Sequence, residues 1–272
     1  MMKVIVSHDV DHLFGSDHVA DLIYPKLWVR ETLALVSRRV SPRQWARRMI
    51  SPFHSVRHHI DELMAFDREH GVPATYFFGM AKGLGMSYKA QKALPVIQRV
   101  RENGFDVGVH GIDFQNAAQM QAEYDRFKAL TGMEQFGIRN HYVRFDEETF
   151  RKMAECGYLF DTTQFDKQTG CCLEAPYKVG KMIEFPLTVM DGYLPKGLEQ
   201  MKKRTRELLN EAQAKKLPYF CVLFHDYQFC NAYEDAKSWY IWLIQTCKER
   251  GLAFTDYRHA IAQMEGRRKN DG

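Results

Sequence analysis

The sequence predicts one α/β domain, a (β/α)7–8 TIM-like barrel with room for distortion, carrying a helical insertion after its first strand. Three observations lead there. Short apolar runs alternate with helical patterns along almost the whole chain, which is the pattern of βαβ units and a parallel sheet. The 272 residues are 45% hydrophobic and 26% charged, the balance of an ordinary globular domain and not of a disordered, collagen-like or membrane-embedded chain. Six of the apolar runs end in His, Asp or Arg, as expected where strand ends converge on one face. A doubly wound open sheet is the alternative. It is weakened because no G-x-G-x-x-G follows the first strand and no G-K-[ST] occurs.

The elements follow in order. Residues 4–7 form the first strand-like run. Residues 17–60 then break the alternation and read as helices. Runs at 74–78, 107–109 and 136–138 come next. A helix begins near Asp146, a good N-cap, and stops at Gly157, a good residue for the position just past a helix end. Runs at 159–161 and 183–187 precede a helix over 198–212, through Leu198, Met201, Leu208, Leu209 and Ala212. The run at 219–224 leads to a helix over 236–247. There Ala236, Trp239, Tyr240, Leu243, Ile244 and Cys247 fall at i, i+3, i+4, i+7, i+8 and i+11. Residues 253–255 are the last run. The barrel is expected to fill 1–265 with its insertion, leaving 266–272 as a polar tail.

Charge is unevenly placed. The chain carries 38 Lys and Arg against 34 Asp and Glu, a net +4 too mild to imply nucleic acid. Within 26–57 lie eight basic residues, Lys26, Arg30, Arg38, Arg39, Arg43, Arg47, Arg48 and Arg57, and one acid, Glu31, a net +7. The rest, with thirty basic and thirty-three acidic residues, is net −3. A solvated basic face on a helical hairpin is the plain reading. The sharper one is contact with an anionic membrane surface, with Trp28, Leu33, Leu35, Val36, Trp45 and Ile50 as the apolar side. The six cysteines show no C-x-x-C pairing and suggest a reducing compartment. The N-terminus has no signal-like apolar region, and no run reaches 18 apolar residues. A cytoplasmic protein, peripheral to the inner membrane through 26–57, is the expectation.

The strand ends carry the chemistry. The first run leads into Ser7-His8-Asp9-Val10-Asp11-His12, and the run at 107–109 into His110, with Asp113 nearby. Arg139-Asn140-His141 follows 136–138, Asp161 closes 159–161, Asp191 follows 183–187, and His225-Asp226 follows 219–224. One Asp at a strand end is only helix capping, but six such ends with three contributing His are not. Carboxylate and imidazole suit a borderline divalent metal such as zinc. Of Asp9 and Asp11, one can hold the metal while the other serves as a base. These are parts for metal-assisted hydrolysis of an acyl bond. No G-x-S-x-G signals a serine nucleophile. His8 and His12 are expected only to pack or hydrogen-bond. Asp113 suits helix capping and Asp191 a turn with Gly192, though both also suit substrate binding.

These motifs together resemble the polysaccharide deacetylases, the NodB-homology or carbohydrate esterase family 4 group. Ser7-His8-Asp9-Val10-Asp11 resembles the first motif, and Ala74-Thr75-Tyr76-Phe77-Phe78 the A-T-F-F strand. Asp106-Val107-Gly108-Val109-His110 resembles the segment with the first metal histidine, and Arg139-Asn140-His141-Tyr142 stands where the family has R-x-P-Y. Phe160-Asp161-Thr162-Thr163 and Leu223-Phe224-His225-Asp226 resemble the later motifs. The likeness is nearest to a D-V-D branch that includes lipopolysaccharide O-antigen deacetylases and deformylases of lipid-linked aminoarabinose. It implies removal of an acetyl or formyl group from an amino sugar in a saccharide that can be lipid-linked. It implies Asp9 as general base, Asp11 and His110 as ligands of a divalent metal, zinc by preference, and Arg139 as the residue orienting Asp9. It also implies Tyr142 N–H at the oxyanion and His225 as general acid, with Asp161 as its partner and Asp166 a rival. The family's second metal histidine falls at Phe114. Either the site is a catalytically inactive, glycan-binding barrel or another side chain serves. His141, two residues past Arg139 and on a neighbouring strand, is the expected replacement, with Asp113 its rival.

Overall fold

The computed structural model describes residues 2–18, 22–54 and 56–270. The first half runs β1 (Lys3–Val10), α1 (Ile23–Val36), α2 (Pro42–Ile50), α3 (Ile60–His70), β2 (Thr75–Gly79), α4 (Ala90–Glu102), β3 (Asp106–Gly111), α5 (Ala117–Thr131) and β4 (Ile138–Asn140). Then come α6 (Thr149–Cys156), β5 (Phe160–Asp161), β6 (Tyr177–Val179), β7 (Met182–Glu184), β8 (Val189–Met190), α7 (Leu198–Ala214), β9 (Tyr219–Leu223), α8 (Glu234–Glu249), β10 (Ala253–Thr255) and α9 (Tyr257–Asn270).

The strands form one sheet in the order β6-β7-β5-β4-β3-β2-β1-β9-β8, with β10 beside the first half of β1. Every pairing is parallel except the β6–β7 hairpin. The two ends of this order are joined by the chain itself. β7 pairs with β5, β8 pairs with β9, and only residues 185–188 separate β7 from β8. Phe185 N donates to Asp161 O at 2.8 Å, and Thr188 N donates to Cys221 O at 3.0 Å. One crossing segment therefore closes the circle, and the expected barrel is present in distorted form.

Alternation along each strand sorts the side chains. Val4, Val6, Tyr76, Phe78, Val107 and Val109 pack outward under the helices. Ile5, Phe77, Phe160, Phe185, Cys221 and Leu223 fill the interior, and Tyr257 from the start of α9 packs among them. The inward face of β1 thus continues from Ile5 to Ser7 and Asp9. On β3 and β4, His110 is paired in register with Arg139.

Five local differences separate the structure from the sequence reading. β1 runs on to Val10, so Asp9 lies inside the strand. β4 starts at Ile138 because Phe136 instead stacks on Tyr124 and packs against Phe127 and Tyr158. The run at 183–187 divides between β7 and the crossing segment. The helix expected from Asp146 begins at Thr149, whose hydroxyl Asp146 accepts at 2.8 Å. α9 extends to Asn270, and residues 271–272 lie outside the described ones. Among the described residues no helix is long and apolar enough to cross a membrane.

Candidate active site

At the barrel mouth Arg139 is completely buried. Its Nη1 donates to Asp9 Oδ1 at 2.9 Å, and Nη2 to Ser7 Oγ at 2.6 Å, Thr162 Oγ1 at 3.3 Å and Tyr257 OH at 3.3 Å. Its Nε donates to Thr162 O at 3.1 Å, and its plane lies over the Phe77 ring at 4.7 Å. Burial alone would lower the pKa of this guanidinium, but Asp9 and its neighbours raise it. A cation held on all sides fixes the direction of the Asp9 carboxylate. Ser7, Thr162 and Tyr257 are members of this network that sequence reasoning missed. Each is an ordinary core or capping residue in a linear reading.

Next to Asp9 lie Asp11, His110 and His141. His110 Nδ1 meets Arg139 O at 3.0 Å, and His141 Nε2 meets Leu84 O at 3.2 Å. A carbonyl only accepts, so both outer nitrogens carry protons, and in the neutral rings both inner nitrogens present lone pairs. Those inner nitrogens, His110 Nε2 and His141 Nδ1, are 2.9 Å apart. Asp11 Oδ1 stands 3.2 Å and 3.4 Å from them. It is buried and makes no hydrogen bond of good geometry. Three acceptors facing one point need a cation between them, and carboxylate with two neutral imidazoles is an ordinary zinc donor set. Burial would raise the Asp11 pKa, but without a metal ion the charged imidazolium forms of His141, His110 and His225 outweigh it and hold the acid well below its usual range. Among the described residues this is the one group of three or more His, Cys, Asp or Glu side chains able to hold a metal ion. Phe114 is turned away and lies under the Arg144 guanidinium at 4.9 Å.

Across the pocket stands His225. Its partner is Asp191, and this corrects the expectation of Asp161. Asp191 Oδ1 lies 2.7 Å from His225 Nδ1, and Oδ2 accepts from His225 N at 2.7 Å and Gln228 Nε2 at 3.0 Å. β8 pairs with β9, with Met190 opposite Leu223, so Asp191 and His225 leave neighbouring strand ends. His225 Nε2 faces Asp11 Oδ2 at 3.8 Å. Burial would lower the His225 pKa, but Asp191, Asp11 and Asp9 push it up to about 10. Asp161 lies deeper, bonded by Thr163 Oγ1 at 2.6 Å and in register with Glu184, and burial raises the pKa of both acids. Asp166 caps its own turn through Gln168 N at 2.8 Å.

Both carboxylate oxygens of Asp191 are thus engaged by His225 and Gln228. Asp113 accepts from Gln115 N and Asn116 N at 2.9 and 2.7 Å and caps the approach to α5, the capping alternative, and it is not in the Asp11–His110–His141 group. His8 points out of the barrel, to Phe224 O at 2.9 Å and Asp67 Oδ2 at 3.0 Å. Tyr142 follows β4 in left-handed backbone (φ 59°) and lines the pocket, its hydroxyl donating to Leu84 O at 3.1 Å.

The pocket holding these groups has a volume of about 930 Å³. One wall is α1, which contributes Ile23, Lys26, Leu27 and Arg30, and Arg57 lies nearby. Tyr193, Tyr227 and Tyr233 supply aromatic surface. That the insertion would border the site was not legible, because nothing in its sequence says where it folds back.

No family model matches the sequence, and no curated protein matches it. Solved structures do match. A candidate polysaccharide deacetylase from Mycobacterium smegmatis aligns with TM-score 0.65 at 15% identity, over 98% of this chain and 91% of that one. A 4-alpha-glucanotransferase from Thermococcus litoralis aligns with TM-score 0.51 at 11% identity, over 97% of this chain and 38% of that one. A candidate O-antigen biosynthesis deacetylase from Bordetella bronchiseptica aligns with TM-score 0.43 at 14% identity, over 86% and 78%. The fold is thus shared with a polysaccharide deacetylase, as the motif resemblance implies.

Proposed function

We propose that the protein is a metal-dependent hydrolase that removes an N-acetyl or N-formyl group from an amino sugar. The observation that carries this is the meeting of three side chains able to ligate a metal, Asp11, His110 and His141, between the Asp9–Arg139 pair and the Asp191–His225 pair. A divalent cation held there, zinc by its donor set, supplies charge stabilisation at the acyl oxygen. Asp9, fixed by Arg139, takes the proton of the attacking water. The Tyr142 N–H donates to the oxygen on which charge develops. His225 delivers a proton from Nε2 to the leaving amine, while Asp191 holds Nδ1–H and keeps the ring aimed.

The tyrosines suit a sugar face, and Lys26 and Arg57 in the pocket lining suit an anionic group on the substrate. A phosphate joining the saccharide to a lipid carrier would supply one. This favours surface polysaccharide or lipopolysaccharide synthesis on the cytoplasmic side of the membrane.

The test is metal analysis of the purified protein, before and after zinc addition, with acetate and formate release from N-acylated amino sugars. Metal bound at one equivalent and acyl release are expected. Asp9→Asn should keep fold and metal and lose about 10²–10⁴ in rate. Wild-type turnover in that variant removes Asp9 as the base. Metal binding and glycan binding without release on any substrate would leave a catalytically inactive barrel.

A further inference from the structure

The α1–α2 hairpin has a surface that the catalytic reading does not use. At 3.6 residues per turn, Leu22, Val29, Leu33 and Val36 fall within about 60° of arc on α1 and at its N-cap. They are 64%, 63%, 64% and 76% exposed. Leu27 and Glu31, the buried residues of α1, lie on the opposite side. The helix is therefore apolar on two faces, and only one of them is packed. Ile50 and Phe53, at the end of α2 and just beyond, are exposed as well. Isolated exposed Leu or Val needs no explanation, but a continuous stripe does.

The charges around it say what covers it. Arg30, Arg47 and Arg48 are spent on Glu31 and Glu234. Lys26, Arg38, Arg39 and Arg43 are exposed, and no ion pair is formed by them among the described residues. A second copy docked face to face would bring these cations together. An anionic surface would neutralise them, and an apolar layer beneath it would take the stripe. Lys26 also lines the catalytic pocket, so the stripe and the pocket mouth border the same helix.

We infer that the α1–α2 hairpin seats the protein on an anionic lipid bilayer, with Leu22, Val29, Leu33 and Val36 entering the headgroup boundary beside the pocket mouth. This goes beyond the catalytic reading and stands without it, because it requires nothing of the metal site.

The experiment is co-sedimentation of the full chain with vesicles of phosphatidylcholine alone or mixed with phosphatidylglycerol. Binding to the anionic vesicles at low salt is expected, weakened strongly near about 0.5 M salt. Leu33→Glu with Val36→Glu should reduce binding at least tenfold. Arg38→Glu or Arg39→Glu should reduce it about fivefold or more, as each basic side chain near the surface contributes about that factor. Circular dichroism and metal content report whether these exposed positions leave the fold intact. Absence of binding to anionic vesicles at low salt overturns the inference. So does binding that Leu33→Glu with Val36→Glu leaves unchanged. A dimer in light scattering that the same pair abolishes would assign the stripe to a second copy instead.

Discussion

Asp9 at the barrel mouth and Glu31 in the hairpin are both buried carboxylates gripped by arginine, at 2.9 Å and 2.7 Å. What surrounds each arginine differs. Arg139 is enclosed, and its remaining N–H groups are spent on Ser7, Thr162 and Tyr257. Glu31 is held by Arg30, which is mostly in water, and by Arg48, which also bonds Ala232 O at 2.8 Å and stacks on Tyr233 at 4.6 Å. In the first case the cation can adopt one position, so the carboxylate is aimed. In the second the cations span two elements, so the carboxylate is a fastening. A buried ion pair is weak evidence for stability in either case. The surroundings of the cation decide whether the pair serves chemistry or attachment.

The hardest way to break the contrast is Arg139→Met. It leaves Asp9 buried without its cation and Ser7, Thr162 and Tyr257 without a donor to accept. Unfolding free energy should fall by about 3–5 kcal/mol, the usual cost of orphaning a buried charge. Urea denaturation of wild type and variant measures it. A loss below about 1 kcal/mol would mean that water replaces the guanidinium, and that the mouth is no more rigid than the hairpin.

The sequence carried the barrel and most of the mouth because the relevant code is local. Period-2 alternation on β1 places Asp9 on the face of Ile5, and a polar residue after an apolar run marks a strand end. His141 was reachable for the same reason: it lies two residues past Arg139, just beyond the end of the strand that pairs with that of His110. Asp191 was not reachable as the partner of His225. That pairing depends on β8, two residues long and set off from β7 by a crossing segment that reads as one strand with it. The family resemblance implies Asp161 instead, yet its strand pairs with β4 and β7, away from β9. The hairpin gave up its charge and its helices, but not its exposed stripe. Leu33 and Val36 look the same in sequence whether they face the barrel or water.

Glu123 extends the comparison to a buried carboxylate that no ion pair neutralises among the described residues. Its oxygens accept from Ile112 N at 3.0–3.1 Å and Asp113 N at 3.2 Å, supporting the exit from β3. Burial outweighs those N–H groups and pushes its pKa up to about 7, from an ordinary 4.5. The folded protein therefore binds a proton that the unfolded chain has released. That contribution is full below about pH 4.5 and is lost as pH rises through 7. Stability of wild type relative to Glu123→Gln should fall by about 3 kcal/mol across that window. Urea midpoints of both proteins at pH 4.5, 6 and 8 give the difference, in which other titrating groups cancel. A difference independent of pH would show that the amide hydrogen bonds compensate the charge.

The smallest effect is expected at the fastening itself. Glu31→Gln keeps the shape and removes the charge that Arg30 and Arg48 share. Hydrogen bonds to a charged group contribute about 1.5–3 kcal/mol, and the exposure of Arg30 places this one at the low end. Because Arg47 still bonds Glu234 and Arg48 still bonds Ala232 O, the hairpin should loosen without leaving. Amide exchange over residues 23–50 should quicken about tenfold, while β1, β3 and β9 keep their protection. The pocket should report the same change, since Lys26 and Arg30 ride on α1. KM for an anionic substrate should rise with kcat nearly constant, the pattern of lost ground-state binding. If barrel and hairpin amides instead lose protection together, Glu31 is as much a part of the barrel's cooperative unit as Asp9. The division between a carboxylate that aims and a carboxylate that fastens would then fail.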